Sequence, residues 1–171
     1  MEFDVLVKNR RSISSYKEED VKEEDIKELI KCVVEAPSWK NSFTSRYYVA
    51  CSKEAKEAIY DALPGFNQNS SKNASYIVCS FKKGISGTTN EGINDYWGAY
   101  DLGLANSYLV LKAKELGYDT LIMGLRDENK IRDYFKIPDD EMILPVIAIG
   151  KSNGEPRSQA RKAIEEILVI K

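Results

Sequence analysis

The segment from residue 95 or 96 to residue 116 constrains the fold more than any other. Its periodicity predicts one long helix, with apolar side chains on most of its faces: Trp97, Tyr100, Leu102, Leu104, Tyr108, Leu109 and Leu111. A helix apolar nearly all round cannot lie on a solvated surface, so the rest of the chain is expected to wrap it as a central buried helix. Gly117 marks its exit. Residues 76–81 and 142–149 are continuous apolar runs that suit covered strands, although Pro145 counts against a central ladder position for the second. Around these fall a short helix over 3–9, a helix over 21–35, a strand over 46–51 and a helix over 53–63 closed by Pro64-Gly65. A short strand over 120–123 and a helix over 128–135 follow. Residues 65–69 read as an ordinary loop by composition, residues 82–94 as a mobile lid or a shortened region, and the tail 163–171 as an extra strand or an arm. With 171 residues and 43% hydrophobic content, one sizeable core is possible. The expectation is a single domain over 1–171, an α+β sandwich of four or five strands with helices on both faces.

Composition then narrows the function. The 25 basic and 27 acidic residues are dispersed, which leaves no electrostatic footprint for nucleic acid or an anionic membrane. The start, Met1-Glu2-Phe3-Asp4, has no basic and apolar leader, and the expected location is the cytoplasm. Cys32, Cys51 and Cys79 are odd in number and lie in apolar segments, so buried reduced thiols are expected. The chain has no histidine. Ser-His-Asp and Cys-His catalytic units and the common imidazole-bearing zinc sites are therefore excluded, and no metal site is expected. Chemistry without histidine points to an organic cofactor that carries the reactive atoms itself.

Two polar segments suit such a cofactor. Arg10-Arg11-Ser12 offers planar guanidinium forks for a phosphate, beside a hydroxyl that can reach a ribityl oxygen. Ala36-Pro37-Ser38-Trp39-Lys40-Asn41 breaks a helix and leaves Ser38 and Asn41 in a polar loop whose donors can meet a heterocycle edge. No Gly-x-Gly-x-x-Gly fingerprint accompanies them, which favours a mononucleotide over a dinucleotide. Each residue also has a plain structural role open to it: surface charges for the arginines, a turn cap for Ser38, a tight turn for Gly124.

In order along the chain, these segments are joined by Asn67 seven residues before Ala74-Ser75, Glu115-Leu116-Gly117 ending the long helix and Gly124 after the next strand. Ile137-Pro138, Gly150 after the last apolar strand and Arg161-Lys162 with Glu165-Glu166 complete the pattern. In this the chain resembles the FMN-dependent nitroreductase family over essentially its whole length. The resemblance implies a mostly antiparallel sheet flanked by helices, and a homodimer with sites at the subunit interface. It implies non-covalent FMN, with NAD(P)H as electron donor and a nitroaromatic, quinone or similar acceptor, in ping-pong turnover. It gives Arg10 and Arg161 to the phosphate, Arg11 and Ser12 to the phosphate and ribityl chain, and Asn67 to the polar edge of the ring. Pro37, Ser38 and Asn41 would come from the other subunit, and the backbone around Met123 and Gly124 would approach the reactive nitrogen. No side chain is implied as catalytic, and a C-terminal arm from about residue 160 would cross to the partner. Ser14 and Ser70 stand at cofactor positions where many members carry a cation, and Phe43 where many carry Gln, so fewer cations would surround the flavin. Two rival readings share the scaffold: a non-enzymatic FMN-binding or storage protein, and a flavin-modifying or dehalogenating relative.

Overall fold

The computed structural model describes residues 2–87, 95–156 and 159–171. Among them the chain forms six α-helices and one four-stranded sheet: α1 (Phe3–Asn9), α2 (Glu23–Val33), β1 (Ser45–Ala50), α3 (Lys53–Asp61), α4 (Gly65–Ser71), β2 (Ser75–Lys82), α5 (Tyr96–Glu115), β3 (Asp119–Met123), α6 (Glu128–Phe135) and β4 (Glu141–Gly150). The sheet order is β1-β2-β4-β3, and every neighbouring pair is antiparallel. The α+β class is as expected, with four strands rather than five. No helix among the described residues is long and apolar enough to cross a membrane.

Strand alternation divides the core in two. Tyr76 and Val78 of β2, with Val146 and Ala148 of β4, face a layer holding Ile59 of α3 and Ile131 of α6. Ile77, Cys79 and Phe81, with Ile147 and Ile149, face the opposite layer, which holds Leu29 and Val33 of α2 and Leu102 and Leu109 of α5. Cover on both faces is why these strands read as unbroken apolar runs. The chain also tolerates Pro145 in a central strand. Val78 pairs Val146 while Ser80 pairs Ile143, so Leu144 and Pro145 together oppose Cys79 in a bulge, and β3 stops pairing at Val146. The amide that proline lacks is therefore not needed by either ladder.

Three expectations change. Residues 65–69 belong to a helix, α4, with Pro64 at its N-cap. The tail 163–171 forms no strand; its regular part is a 3-10 turn at Ile164–Glu166, with Ile167, Leu168, Val169 and Ile170 exposed. Helix α5 is buried along one face only, through Leu102, Ala105, Leu109 and Ala113, while Trp97, Tyr100 and Tyr108 stand exposed. The cysteines are all free thiols, as expected, but Cys79 alone is fully buried. Of the loop 82–94, residues 88–94 lie outside the described residues.

Helix α5 approaches the sheet closely at Gly98. A Cβ there would stand 2.4 Å from two ring carbons of Phe81, which is itself fully buried. Gly98→Ala is accordingly expected to lower stability by about 1–3 kcal/mol through overpacking, despite the better helix propensity of alanine. Urea unfolding checks this, and an unchanged or raised midpoint counts against it.

Candidate functional site

The segment after α1 is stitched along the edge strand β3. Ser12 makes a parallel bridge to Thr120, Ile13 N–H donates to Thr120 O at 3.1 Å, and Tyr16 bridges Ser152 beyond β4. Ile13 and Tyr16 turn into the core, which leaves Ser12 and Ser14 facing outward. Helix α4, with Glu155, Pro156, Gln159 and Arg161, borders this edge. The result is a polar cavity of about 340 Å³ lined by Arg10, Ser12, Ser14, Asn67, Ser70 and Arg161, with Ile13, Leu121, Glu155, Pro156 and Gln159 completing the wall.

Six of the sequence-predicted cofactor residues thus meet in one place. Arg10 and Arg161 are neighbouring cations, and among the described residues neither forms an ion pair. Burial, followed by repulsion from Arg161 and then Arg11, holds the Arg10 guanidinium below its ordinary pKa. Gathering like charges in a partly buried cleft is unfavourable unless an anion joins them. Their forks and the flanking hydroxyls suit a phosphate with a polyol chain, so the residues present fit FMN. Arg11 is turned elsewhere and donates to Arg10 O at 3.2 Å.

Asn67 connects this cavity to the turn after β3. It is buried, and its Nδ2 donates to Leu125 O at 3.0 Å. Met123 is buried in the core, whereas an added Cβ on Gly124 would meet nothing within 4 Å. Gly124 does not have a positive φ, so the backbone does not demand glycine there. What glycine supplies is open space above the chain.

Pro37, Ser38 and Asn41 are not brought to this cavity. Pro37 and Ser38 line a separate, mostly apolar groove of about 440 Å³ with Val33, Val34, Phe43 and Tyr47. The loop carrying them is strained, since Lys40, Asn41 and Phe43 all have positive φ without being glycine. Asp101, buried on α5, holds it: both carboxylate oxygens accept from Trp39 N–H at 3.0 and 3.1 Å, and one accepts from Ser86 Oγ at 2.9 Å. Sequence reading missed Asp101, whose only signal is a carboxylate inside an otherwise apolar helix. It also missed Arg126, which stands in the turn after β3. Among the described residues no cluster of ligands could hold a metal ion.

The class defined by this fold and cavity is an α+β protein with a polar, arginine-bearing cleft along an edge strand. Residues 7–92 and 65–151 match the nitroreductase family model, and the chain belongs to the nitroreductase family. The Bacillus subtilis protein YdgI, which carries a provisional NAD(P)H nitroreductase name, is 27% identical over 202 residues, covering 97% of this chain and 96% of the relative. A nitroreductase family protein from Clostridium novyi NT superposes with a TM-score of 0.79 at 26% identity, covering 90% of this chain and 86% of that one. A provisionally named nitroreductase from Exiguobacterium sibiricum 255-15, crystallised in complex with FMN, has the same fold with a TM-score of 0.88 at 22% identity, covering 100% and 98% of the two chains.

Proposed function

We propose that the protein is an FMN-dependent NAD(P)H oxidoreductase, a single-domain cytoplasmic homodimer that acts by ping-pong on nitroaromatic, quinone or related acceptors. The observation that carries this reading is the pair Arg10 and Arg161, which form no ion pair among the described residues and share a cleft with Ser12, Ser14, Ser70, Asn67 and Glu155. When bound, FMN would supply the hydride chemistry, taking hydride from the nicotinamide and passing it to an acceptor in the same pocket. Arg10 and Arg161 hold the phosphate by charge-assisted bonds, and Ser12 and Ser14 offer hydroxyls to the polyol. Asn67 sits where cleft and turn join and orients the ring edge. Gly124 keeps the backbone bare so that donor and acceptor can approach.

The dimer has its own support. Trp97 and Tyr100 of α5, together with Ile122 and Leu125, are large apolar side chains left exposed, as a face that pairs with a second subunit would require. A second copy is the occupant that would also bring Pro37, Ser38 and Asn41 to the cleft from which they are absent within one chain, and the apolar tail would serve as its arm.

Anaerobic stopped-flow mixing tests the reading. The FMN-loaded protein is expected to bleach with NADH or NADPH much faster than free FMN does. Bleaching no faster than free FMN leaves a flavin carrier in its place, and a chain that takes up no FMN removes both.

A further inference from the structure

We infer that Tyr16 is a positioning residue for the cleft, holding the turn that presents Ser12 and Ser14 to the cofactor; the inference rests on the flavin reading above. Residues 10–22 contain no helix and no strand, so the segment that supplies Arg10, Ser12 and Ser14 takes no order from a continuous ladder. Two isolated bridges fix it, Ser12 with Thr120 and Tyr16 with Ser152. The second is made by Lys17 N–H donating to Lys151 O at 2.9 Å and Asn153 N–H donating to Ser15 O at 3.0 Å. Between the bridges lie Ile13, Ser14 and Ser15. Across this gap the Tyr16 hydroxyl donates to Ile13 O at 3.0 Å, and it lies within 3.5 Å of Ala148 O in β4. The first contact closes residues 13–16 into a turn with Ser14 inside it. The second ties that turn to a central strand of the sheet.

The ring is committed to the same place. Tyr16 is 2% exposed, and a Cβ on Gly150 would stand 3.1 Å from its Cδ1, tighter than ordinary contact. Gly150 does not have a positive φ, so its backbone makes no demand for glycine, and the ring lying against it does. From a third side Asn73, just past the end of α4, donates from Nδ2 to Tyr16 O at 3.4 Å. Through these contacts Tyr16 joins β4 to the turn bearing Ser14, and joins that turn to the end of the helix that brings Asn67 and Ser70 to the same cleft.

Tyr16 does not itself line the cleft, so it acts through the serines it holds. Burial, followed by the Asp119 charge and Tyr76, pushes its phenol well above the ordinary pKa and keeps it an O–H donor throughout the neutral range. Donors held in place before a ligand arrives lose less binding free energy to their own ordering. A turn of serines outside any ladder has that ordering to lose, and the Tyr16 hydroxyl and the Gly150 notch supply it from behind the wall.

Fluorescence titration of FMN into Tyr16→Phe and Gly150→Ala, with thermal unfolding of the FMN-free proteins alongside, tests the inference. Tyr16→Phe keeps the ring and removes the donor, whereas Gly150→Ala keeps the donor and displaces the ring. Each is expected to raise the FMN dissociation constant about 3- to 10-fold, the range of one neutral hydrogen bond. At saturating FMN each should bleach with NADH or NADPH within about twofold of the natural rate, because the serines face the polyol and not the reacting edge. Either variant carries the comparison alone if the other does not fold. A folded protein's dissociation constant does not register its global stability, so a lowered melting temperature with unchanged FMN affinity overturns the inference and leaves Tyr16 a core residue. Slower bleaching at saturating FMN overturns it as well, as does a failure of both variants to fold. A natural chain that takes up no FMN removes the flavin reading and this inference together. One that binds FMN without faster bleaching than free FMN removes the oxidoreductase reading and leaves the affinity comparison to decide this inference.

Discussion

Arg10→Ala is expected to weaken FMN binding about 10- to 150-fold, the worth of a single charge-assisted bond of roughly 1.5–3 kcal/mol. The guanidinium lies partly buried beside Arg161 and Arg11, and its lowered pKa records the cost of holding it there without an anion. Removing it should therefore leave the fold intact, or slightly stabilise the FMN-free protein by relieving that repulsion, while the loaded protein loses a phosphate contact. This opposition of signs separates a binding residue from a surface charge. Fluorescence titration of FMN gives the first quantity, and thermal unfolding with and without FMN gives the second, since a ligand that binds only the folded state raises its stability by mass action. An unchanged dissociation constant would show that Arg10 is not a phosphate ligand. Loss of stability in the FMN-free protein would show that the residue serves the fold instead.

The second large effect is expected at Asp101. Its carboxylate takes the Trp39 N–H and the Ser86 hydroxyl, and it is almost wholly buried. Asp101→Ala should cost about 1.5–3 kcal/mol for each of the two charge-assisted donors lost, on the order of 3–6 kcal/mol in all. The loop it anchors contains three non-glycine residues at positive φ, each of which is kept there only while its surroundings outweigh the strain. With the anchor gone, the loop bearing Ser38 and Asn41 should relax, and FMN affinity should fall along with stability if that loop completes the neighbouring subunit's site. Urea unfolding with an unchanged slope measures the first effect. A loss below about 1 kcal/mol would mean that water replaces the carboxylate, and the loop is then not held from α5.

The elements that the sequence discloses are those with local causes. Helix α6 is bounded by Asp127 as a cap and by the approach to Pro138, and both signals lie within a few residues of the helix they delimit. Strands β2 and β4 announce themselves by apolar runs because both sheet faces are covered. Helix α4 was hidden for the opposite reason. Its sequence, Gly-Phe-Asn-Gln-Asn-Ser-Ser, has poor helix propensity, and tertiary bonds sustain it: Asn67 to Leu125 O, Gln68 to Tyr60 O, and Ser71 in contact with the Tyr76 hydroxyl. Pro145 misled because a bulge is a property of two strands in register, which one strand's sequence does not contain.

The same division runs through the candidate site. Residue chemistry alone pointed to Arg10 and Ser12, because a phosphate and a polyol call for particular donors, while Asn67 and Arg161 were selected only through the resemblance to the nitroreductase family. Their convergence needed the parallel bridge of Ser12 to Thr120 and the return of Glu155, Pro156, Gln159 and Arg161 to the same cleft, contacts that span more than a hundred positions. The separation of Pro37 and Ser38 from that cleft, the exposed apolar face of α5 and the grip of Arg126 on Gly124 were likewise decided in three dimensions. The sequence by itself determined which chemistry is possible: no histidine, arginines of a kind suited to a phosphate, and two covered strands. Only the tertiary structure decided which surfaces stay open and which donors stay free, because those depend on what packs against a residue and not on what the residue is.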